Sequence, residues 1–517
     1  MSSLAVFVLI WGVWLITPVL VDGIDAISRL FTVWSHRRDA KSEPVDDDLL
    51  PTVAIIVPAY NEAAVIDRCL NSIKAQDYPS DRLEIIVVDD GSTDGTSERI
   101  EEHVNGTHQP AGDLRLRGVP IRVGPFKGRL THIRRERGGK ASALNAGIAE
   151  TEAEIIINID SDVVLAPNTV RVIASKFVND PDIGALTGNI QIDWDVLEAR
   201  DENGDVIVDE EGCIVARKLK FGERYIAASQ FLEYLSSFDL GRRAQSISGT
   251  MYTLAGACSA FRHEILTPTC CYNSTTVSED TCLTFQLHRE NVKIGFAEDA
   301  KVYLEPVVTW DALYAQRARW TRGQLEVCGT NDDIVGRQGH SFGRIAIPKM
   351  LLFDHTMAFP RLIWAPLLLT FPMIGYSYAT VATALLAMYV FYAIIEVIST
   401  VSVFTIADEH ARNRIERAGW TLLLMPAYRF IVFHFRFSGF LVTLKEQQQW
   451  TIPGPFDGTR RDLVTLRLRS IQFVAGLLGG LASASMRVGQ FMISFVAPLL
   501  FVAILVSERI GSLWKRS

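Results

Sequence analysis

Ile155-Ile-Ile-Asn-Ile-Asp-Ser-Asp162 is the stretch on which the fold turns. An isoleucine-rich run leads straight into two carboxylates spaced by one residue. The run is short and bounded by polar residues, so it predicts a strand buried on both faces of a parallel sheet rather than a helix. Asp160 and Asp162 then fall at the carboxyl end of that strand, where open α/β sheets take their ligands. Paired carboxylates at such a place suit a hard divalent cation bridging protein and a diphosphate. The competing reading is a plain turn or helix cap, and only the neighbouring sequence separates the two.

Moving outward, the flanking segments alternate strand and helix. Thr52-Val-Ala-Ile-Ile-Val-Pro-Ala-Tyr-Asn-Glu62 reads as strand then loop, and residues 63–76 have helical spacing. Residues 83–96 give a second strand that ends in an acidic, glycine-rich loop capping another helix. This is the pattern of a doubly wound α/β sheet. No glycine fingerprint for a dinucleotide or a phosphate loop is present, so the unit reads as one that binds a nucleotide through carboxylates. In Arg134-Arg-Glu-Arg-Gly-Gly-Lys-Ala-Ser-Ala-Leu-Asn145 a glycine pair opens a helix with Lys140 at its start. A cation there suits a diphosphate, against the alternative of a solvated basic loop. Residues 166–179 read as helix, 184–192 as strand, and the charged stretch 193–218 as an inserted surface hairpin.

Further on, Gly256-Ala-Cys-Ser-Ala-Phe-Arg262 is a small-residue loop expected to lead into a helix, and such loops let backbone approach a ligand closely. Ser278-Glu279-Asp280 opens an amphipathic helix. Asp280 reads either as part of a cap or as a general base at the end of a cleft. In Gln316-Arg-Ala-Arg-Trp320 the helical spacing puts Gln316, Arg319 and Trp320 on one face. Amide, guanidinium and indole together suit a sugar and a phosphate, although a membrane-surface helix has a similar composition.

Composition sets the frame for this domain. The 517 residues are 48% hydrophobic with a net charge of −8, and the mean hydropathy is +0.17. Nucleic acid is not expected as a partner. Seven cysteines without regular spacing make neither a disulfide framework nor a zinc signature, and a reducing compartment is expected. The apolar excess lies at the two ends. Residues 4–21 form an apolar run read as an anchor, followed by the basic cluster His36, Arg37, Arg38 and Lys41, which orients the next segment to the cytoplasm. Residues 1–50 are thus anchor and linker, 51–340 a cytosolic domain, and 341–517 a region of interfacial and membrane-spanning helices. Within it, 361–376, 379–407 and 489–506 are expected spans. Residues 342–359 look interfacial, and 471–484 are short for a span. Residues 420–444 are apolar but carry Arg429, His434 and Arg436, so they either line an interior path or lie in the interface.

Six motifs in order resemble the membrane-embedded processive glycosyltransferases of family 2, the group of cellulose, hyaluronan, chitin and poly-N-acetylglucosamine synthases. They are Val57-Pro-Ala-Tyr-Asn-Glu62, Val88-Asp-Asp-Gly-Ser-Thr-Asp94, Gly139-Lys-Ala-Ser-Ala-Leu-Asn145, Asp160-Ser-Asp162, Glu279-Asp280 and Gln316-Arg-Ala-Arg-Trp320. The resemblance covers roughly residues 51 to 455. It implies a nucleotide-sugar domain of glycosyltransferase A type with a parallel-rich sheet and transmembrane helices on both sides.

The resemblance also implies roles. Tyr60, Glu62 and Asp90 would hold the uracil and ribose of a UDP-sugar, with Lys140 near the nucleotide or diphosphate. Asp160 and Asp162 would carry the nucleotide and a Mg or Mn cation. Asp280, beside Glu279, would be the base. Gly256, Gln316, Arg319 and Trp320 would face the diphosphate and the acceptor, and a loop near 447–460 with Trp450 would gate the site. One base and no carboxylate nucleophile implies inversion, giving a β-linkage on a polysaccharide that leaves through the enzyme's own membrane region. The implied setting is a multi-pass cell-membrane protein in contact with lipid, with a cytoplasmic catalytic domain and possible accessory export subunits. The alternatives are transfer of a single sugar to a lipid-linked acceptor and a silent scaffold. Ser278 stands where the family often has threonine, the 193–218 insertion is not typical, and the Trp450 loop lacks a close match to the cellulose-type gating motif.

Overall fold

In the computed structural model the described residues are 17–36, 45–116, 119–121, 126–202, 206–266, 270–273, 276–334 and 370–445, with isolated positions at 343, 346 and 347. Helix α1 (Thr17–Ser35) precedes strand β1 (Val53–Ala59), helix α2 (Ile66–Lys74), strand β2 (Leu83–Asp89) and helix α3 (Thr96–Val104). The short hairpin of β3 (Leu114–Leu116) and β4 (Val119–Ile121) leads to β5 (Arg129–Arg134), α4 (Lys140–Ile148), β6 (Ile155–Ile159) and β7 (Val164–Leu165). Helix α5 (Thr169–Asn179), strand β8 (Ile183–Ile192), helices α6 (Phe221–Tyr234) and α7 (Gly241–Ser248), and strand β9 (Cys258–Arg262) follow. The domain closes with α8 (Glu279–Arg289), β10 (Lys293–Leu304) and α9 (Trp310–Thr330).

Eight strands form one sheet in the order β5-β2-β1-β6-β9-β8-β10-β7. The half from β5 to β6 is parallel throughout, with Val53 of β1 opposite Leu83 on one side and Ile155 on the other. Strand β9 then runs antiparallel to both β6 and β8, so the sheet is mixed rather than doubly wound. This corrects the expected helix after the Gly256 loop. Cys258–Arg262 is three small residues followed by Phe261 and Arg262; it sits between two buried strands, and that sheet position overrides any local helical preference.

Period-two alternation explains why the strands are so apolar. Ile55, Val57, Ile85, Val87, Ile155 and Ile157 join the core on one face with α2, α5 and α6. Ala54, Ile56, Ile86, Val88 and Ile156 join the other core with α4 and α8. Both faces are covered, so every position of β1 is buried. At the centre, β1 connects outward to β2 on one side while β6 lies on its other side. That reversal opens a crevice at the carboxyl ends of β1 and β6, and Tyr60 and Asp160 are the next residues of these two strands. The 193–218 insertion is a small irregular ladder, with bridges Glu198 to Ala216, Arg200 to Val206 and Val208 to Ile214, in keeping with the expected hairpin.

After residue 370 come α10 (Tyr378–Ile406), α11 (Glu409–Ala418) and α12 (Met425–Lys445). Helix α10 has 29 residues and a mean hydropathy of 2.2 over its most apolar stretch. By length and composition it is the one helix among the described residues able to cross a membrane, and it coincides with the expected span 379–407. Glu396, midway along it, is paired with Arg429 of α12 through both carboxylate oxygens, so Arg429 is turned toward another helix. Arg414 of α11 pairs with Asp193 at 2.7 Å and with Asp195, and its guanidinium stacks 4.6 Å from the Trp194 ring. This fixes the chain after α10 against the sheet domain. Helix α1 begins at Thr17 and exposes Ile24, Ile27, Phe31 and Trp34 along one stripe, with Asp25 and Arg29 paired beside it. Most of the expected anchor 4–21, most of the segments 342–359 and 361–376, the loop near 447–460, the segment 471–484 and the span 489–506 lie outside the described residues.

Candidate active site

Four loops at the carboxyl edge of the sheet meet around Lys140. The first follows β1. Asn61 takes a left-handed conformation, φ 56°, held by Ser92 Oγ accepting from its N–H at 3.0 Å and by its own Oδ1 accepting from Thr93 N at 2.9 Å. This sharp turn places Tyr60 and Glu62 on either side of it. The second loop follows β2. Asp90 is buried, and its two oxygens accept from the N–H groups of Gly138 at 2.9 Å and Gly139 at 2.7 Å. Arg135 Nε stands 3.2 Å from the same carboxylate. Asp90 therefore shapes the third loop, whose Gly139 has φ 88° and is the residue immediately before α4. A side chain would be strained there, which accounts for the glycine at the start of the lysine motif.

Lys140 heads α4 and reaches across the crevice. Its Nζ is 2.6 Å from Asp160 Oδ1 and 3.1 Å from Glu279 Oε1. The fourth loop brings Gly256, whose N–H donates to Asp280 Oδ2 at 3.1 Å, while Asp280 Oδ1 accepts from Thr281 N at 2.6 Å. A Cβ on Gly256 would lie 3.2 Å from both Asp280 Oδ2 and Lys140 Nζ. The glycine thus permits the backbone to touch the carboxylate and the ammonium together.

Crowding sets the ionisation of the cluster. Burial, with repulsion from Asp162, Asp160 and Asp94, lifts Glu62 to about 7. Burial and the neighbouring Asp162 lift Asp160 to about 6 against the pull of Lys140. Burial and the adjacent Glu279 lift Asp280 to about 6, again opposed by Lys140. Burial disfavours the charged form of Lys140, but Asp160 and Glu279 outweigh it and keep the lysine protonated. Several carboxylates around one ammonium, each displaced upward, form a site that takes up further positive charge readily.

The sheet and loops thus bring Glu62, Lys140, Asp160, Asp162, Gly256, Glu279 and Asp280 into one cluster. Tyr60 stands at its rim, with Arg137 stacked 3.9 Å from its ring and donating to its hydroxyl at 2.7 Å. Gln316, Arg319 and Trp320 lie on α9, on the face that also carries Gly323. A Cβ on Gly323 would fall 1.8 Å from Ser278 Oγ, so this face packs against the residue preceding Glu279 and Asp280. Gln316 Oε1 is buried with no hydrogen-bond partner among the described residues, an acceptor available to a ligand hydroxyl or amide.

Sequence reading passed over Arg137, Arg135 and Arg68. Arg68 donates to Val196 O at 3.1 Å and is paired with Glu305, and its Nη2 is 3.4 Å from Asp162 O. The signal for the first two lay in the arginine run beside the glycine pair, while nothing in the sequence around Arg68 points to Asp162.

Asp160 and Asp162 offer hard oxygen donors in a crowded anionic crevice, a donor set that fits Mg2+ or Mn2+. Among the described residues, two other clusters bring metal-ligating groups together: Asp67, His103 and His108, and Asp209, Glu211 and Cys213. In the first, Lys74 Nζ sits 2.9 Å from His103 Nδ1 and Arg99 is paired with Asp67, so cations already serve those groups. In the second, Asp209 Oδ1 accepts from the N–H groups of Glu211 and Cys213 as a turn.

Residues 54–267 match the family described as Glycosyl transferase family 2, and residues 223–395 match Glycosyl transferase family group 2. The poly-β-1,6-N-acetyl-D-glucosamine synthase of Staphylococcus aureus strain COL is 24% identical over 287 residues, 56% of this chain and 58% of the relative. The Staphylococcus epidermidis protein of the same name is 25% identical over 275 residues, 53% of this chain and 55% of the relative. The chain thus spans somewhat over half the length of the curated relatives it matches. A mannosyltransferase from Pyrobaculum calidifontis, solved in complex with GDP-Man and Mn2+, superposes with a TM-score of 0.50 at 18% identity, covering 84% of this chain and 100% of that one. The shared architecture is a mixed α/β fold of glycosyltransferase A type.

Proposed function

We propose that this sugar-transferring enzyme, which matches family 2 glycosyltransferase models, moves a sugar, with inversion, from a UDP-sugar to a growing β-linked polysaccharide at the cell membrane. The name of the staphylococcal relatives supports N-acetylglucosamine as the sugar. The observation that carries the reading is the Asp280 carboxylate. It is oriented by Gly256 N–H and raised to about 6, next to the lysine that bridges to Asp160. A carboxylate tuned close to neutrality and fixed in direction suits a general base.

In this mechanism Tyr60 and Glu62 receive the uridine, and Asp90 holds the glycine turn beneath it. Asp280 takes the proton from an acceptor hydroxyl as that oxygen bonds to the anomeric carbon. The bond from that carbon to the diphosphate breaks on the opposite face, and UDP leaves with the electron pair. Lys140 stabilises the charge that develops on the diphosphate. Asp160 and Asp162 would hold a Mg2+ or Mn2+ ion, which when bound neutralises part of the same charge. Gln316, Arg319 and Trp320 seat the acceptor's terminal sugar, with the unpaired Gln316 Oε1 available to one of its donors. Helix α10 supports a membrane setting, with the sheet domain on the cytoplasmic side and successive additions feeding a chain toward the bilayer.

The test is UDP release from the full-length protein in lipid, with a panel of UDP-sugars and Mg2+ or Mn2+, followed by sizing of the product. Release with UDP-N-acetylglucosamine and a long product is expected. A product one sugar long on a lipid acceptor would replace the polymer reading, and failure with every UDP-sugar would remove the donor assignment.

A further inference from the structure

Arg317 lies between two residues of the family motif and is fully buried, with 0% of its surface exposed. Its Nη2 donates to Glu233 Oε2 of α6 at 2.7 Å, and the hydroxyl of Tyr428 from α12 donates to the same oxygen at 2.8 Å. The flat of the guanidinium lies over the indole of Trp320, 4.3 Å from the ring centroid, and 5.7 Å from that of Tyr234. Burial disfavours an ionised Glu233, but Arg317, with Arg436 and Arg429 beyond it, holds the carboxylate below its ordinary range. Trp320 is enclosed further by Phe238, 6.1 Å away, which is carried on a π-helical turn (Leu235–Leu240) between α6 and α7. Such turns displace side chains from the regular helical repeat and are frequent at functional sites.

This arrangement is costly as a stabilising device. Among the described residues, Nε and Nη1 of Arg317 have no hydrogen-bond partner, and buried donors left unmade carry a penalty. A buried ion pair can often be replaced by apolar residues of similar volume without loss of stability. What apolar residues could not supply is a planar cation fixed against an indole face.

We infer that Arg317 is a positioning residue for the acceptor: held by Glu233, which also pairs with Tyr428 of α12, it sets the indole of Trp320 and ties the acceptor seat to α12. The inference rests on the assignment of Trp320 to the acceptor. Helix α12 packs along α9 and α10, so a shift of α12 is transmitted to Trp320 through one oxygen atom of Glu233.

The test measures KM for a short β-1,6-linked N-acetylglucosamine oligomer and KM for UDP-N-acetylglucosamine in full-length protein. The variants are Arg317→Lys, the milder Tyr428→Phe, Trp320→Ala and the double variant Arg317→Lys/Trp320→Ala. Loss of the stacked guanidinium plane, which a lysine ammonium does not reproduce, corresponds to about a tenfold effect. Arg317→Lys is expected to raise the acceptor KM about tenfold and Tyr428→Phe by about threefold, with the donor KM unchanged in both. In the Trp320→Ala background Arg317→Lys is expected to add nothing, which a purely structural role would not produce. UDP binding serves as the check that each variant is folded. If Trp320→Ala raises the acceptor KM while Tyr428→Phe and Arg317→Lys leave it alone, or if donor and acceptor KM rise together, the positioning role is overturned and the acceptor site stands. If Trp320→Ala itself leaves the acceptor KM unchanged, both fall.

Discussion

Replacing Lys140 with methionine keeps most of the stem and removes the ammonium paired with Asp160 and Glu279, so it should move the enzyme's pH profile. Lys140 Nζ and Asp280 Oδ2 each stand 3.2 Å from the point where a Cβ on Gly256 would lie, so they are within twice that distance of each other. At about 6 Å and an effective dielectric of about 20, a pair of unit charges is worth about 3 kcal/mol, or about two pH units. Lys140 is 24% exposed, and solvent screening reduces this to about one to two units. The sign is fixed by the chemistry. The ammonium favours the ionised carboxylate, so its loss raises the pKa of Asp280 from about 6 to roughly 7.5. Asp160, closer still to Lys140, moves the same way.

A base with a pKa of about 6 is roughly nine-tenths ionised at pH 7, and one at about 7.5 only about a quarter. The assay is kcat/KM for the donor between pH 5 and 9, because that ratio reports groups of the free enzyme. The wild type should lose activity as pH falls through about 6, and Lys140→Met should lose it through a midpoint one to two units higher, on top of a lower plateau from the missing diphosphate contact. An acidic limb that stays near 6 in the variant would refute the reasoning, since either Asp280 is not the titrating base or Lys140 does not govern it.

Asp280→Asn should lower kcat by roughly 10²–10⁴-fold, the usual worth of a general base, while UDP binding measured by calorimetry stays within about threefold; a collapse of UDP affinity would place Asp280 in the donor site instead. Gly256→Ala adds a methyl 3.2 Å from both Asp280 Oδ2 and Lys140 Nζ and should cut kcat by about tenfold or more, because the strain falls on the reacting groups, while overpacking of about 1–3 kcal/mol lowers the melting temperature by only several degrees. Chelation of divalent ions should stop transfer and weaken UDP binding, with Mg2+ or Mn2+ restoring both; full activity in chelator would remove the role given to Asp160 and Asp162.

How much of this was legible in the sequence depended on whether a feature is set locally. The parallel half of the sheet could be read from β1, β2 and β6 because strands covered on both faces are apolar without interruption. The residues that follow these strands directly, Tyr60, Asp90 and Asp160, then mark the carboxyl edge. Strand β9 was missed because its short run of small residues pairs with β6 and β8, strands distant in sequence, and nothing nearby specifies that partnership. Asp90 was legible as a residue of the crevice, but its occupation by the backbone of Gly138 and Gly139 is a tertiary fact. Arg317 was hidden although it lies one helical turn from Trp320, because an arginine at that spacing reads equally well as a solvated surface charge. Its significance comes from Glu233 and Tyr428, residues 84 and 111 positions away along the chain.

The same contrast separates the charged cluster around Lys140 from the one around Glu233. Around Lys140 the carboxylates outnumber the cations, and burial and mutual repulsion push Glu62, Asp160, Asp162 and Asp280 up, so the cluster is complete only when more positive charge arrives; that is the behaviour expected of a binding and catalytic site. Around Glu233 the balance is reversed, with one carboxylate facing Arg317 and, farther out, Arg436 and Arg429, and it stays ionised without any ligand. A cluster satisfied in the resting protein cannot draw in a charged donor, but it can hold geometry. On the proposed reading the two divide the work: the anionic crevice takes up a divalent cation and with it the diphosphate of the donor, while the buried network keeps Trp320 and α12 in a fixed relation to it.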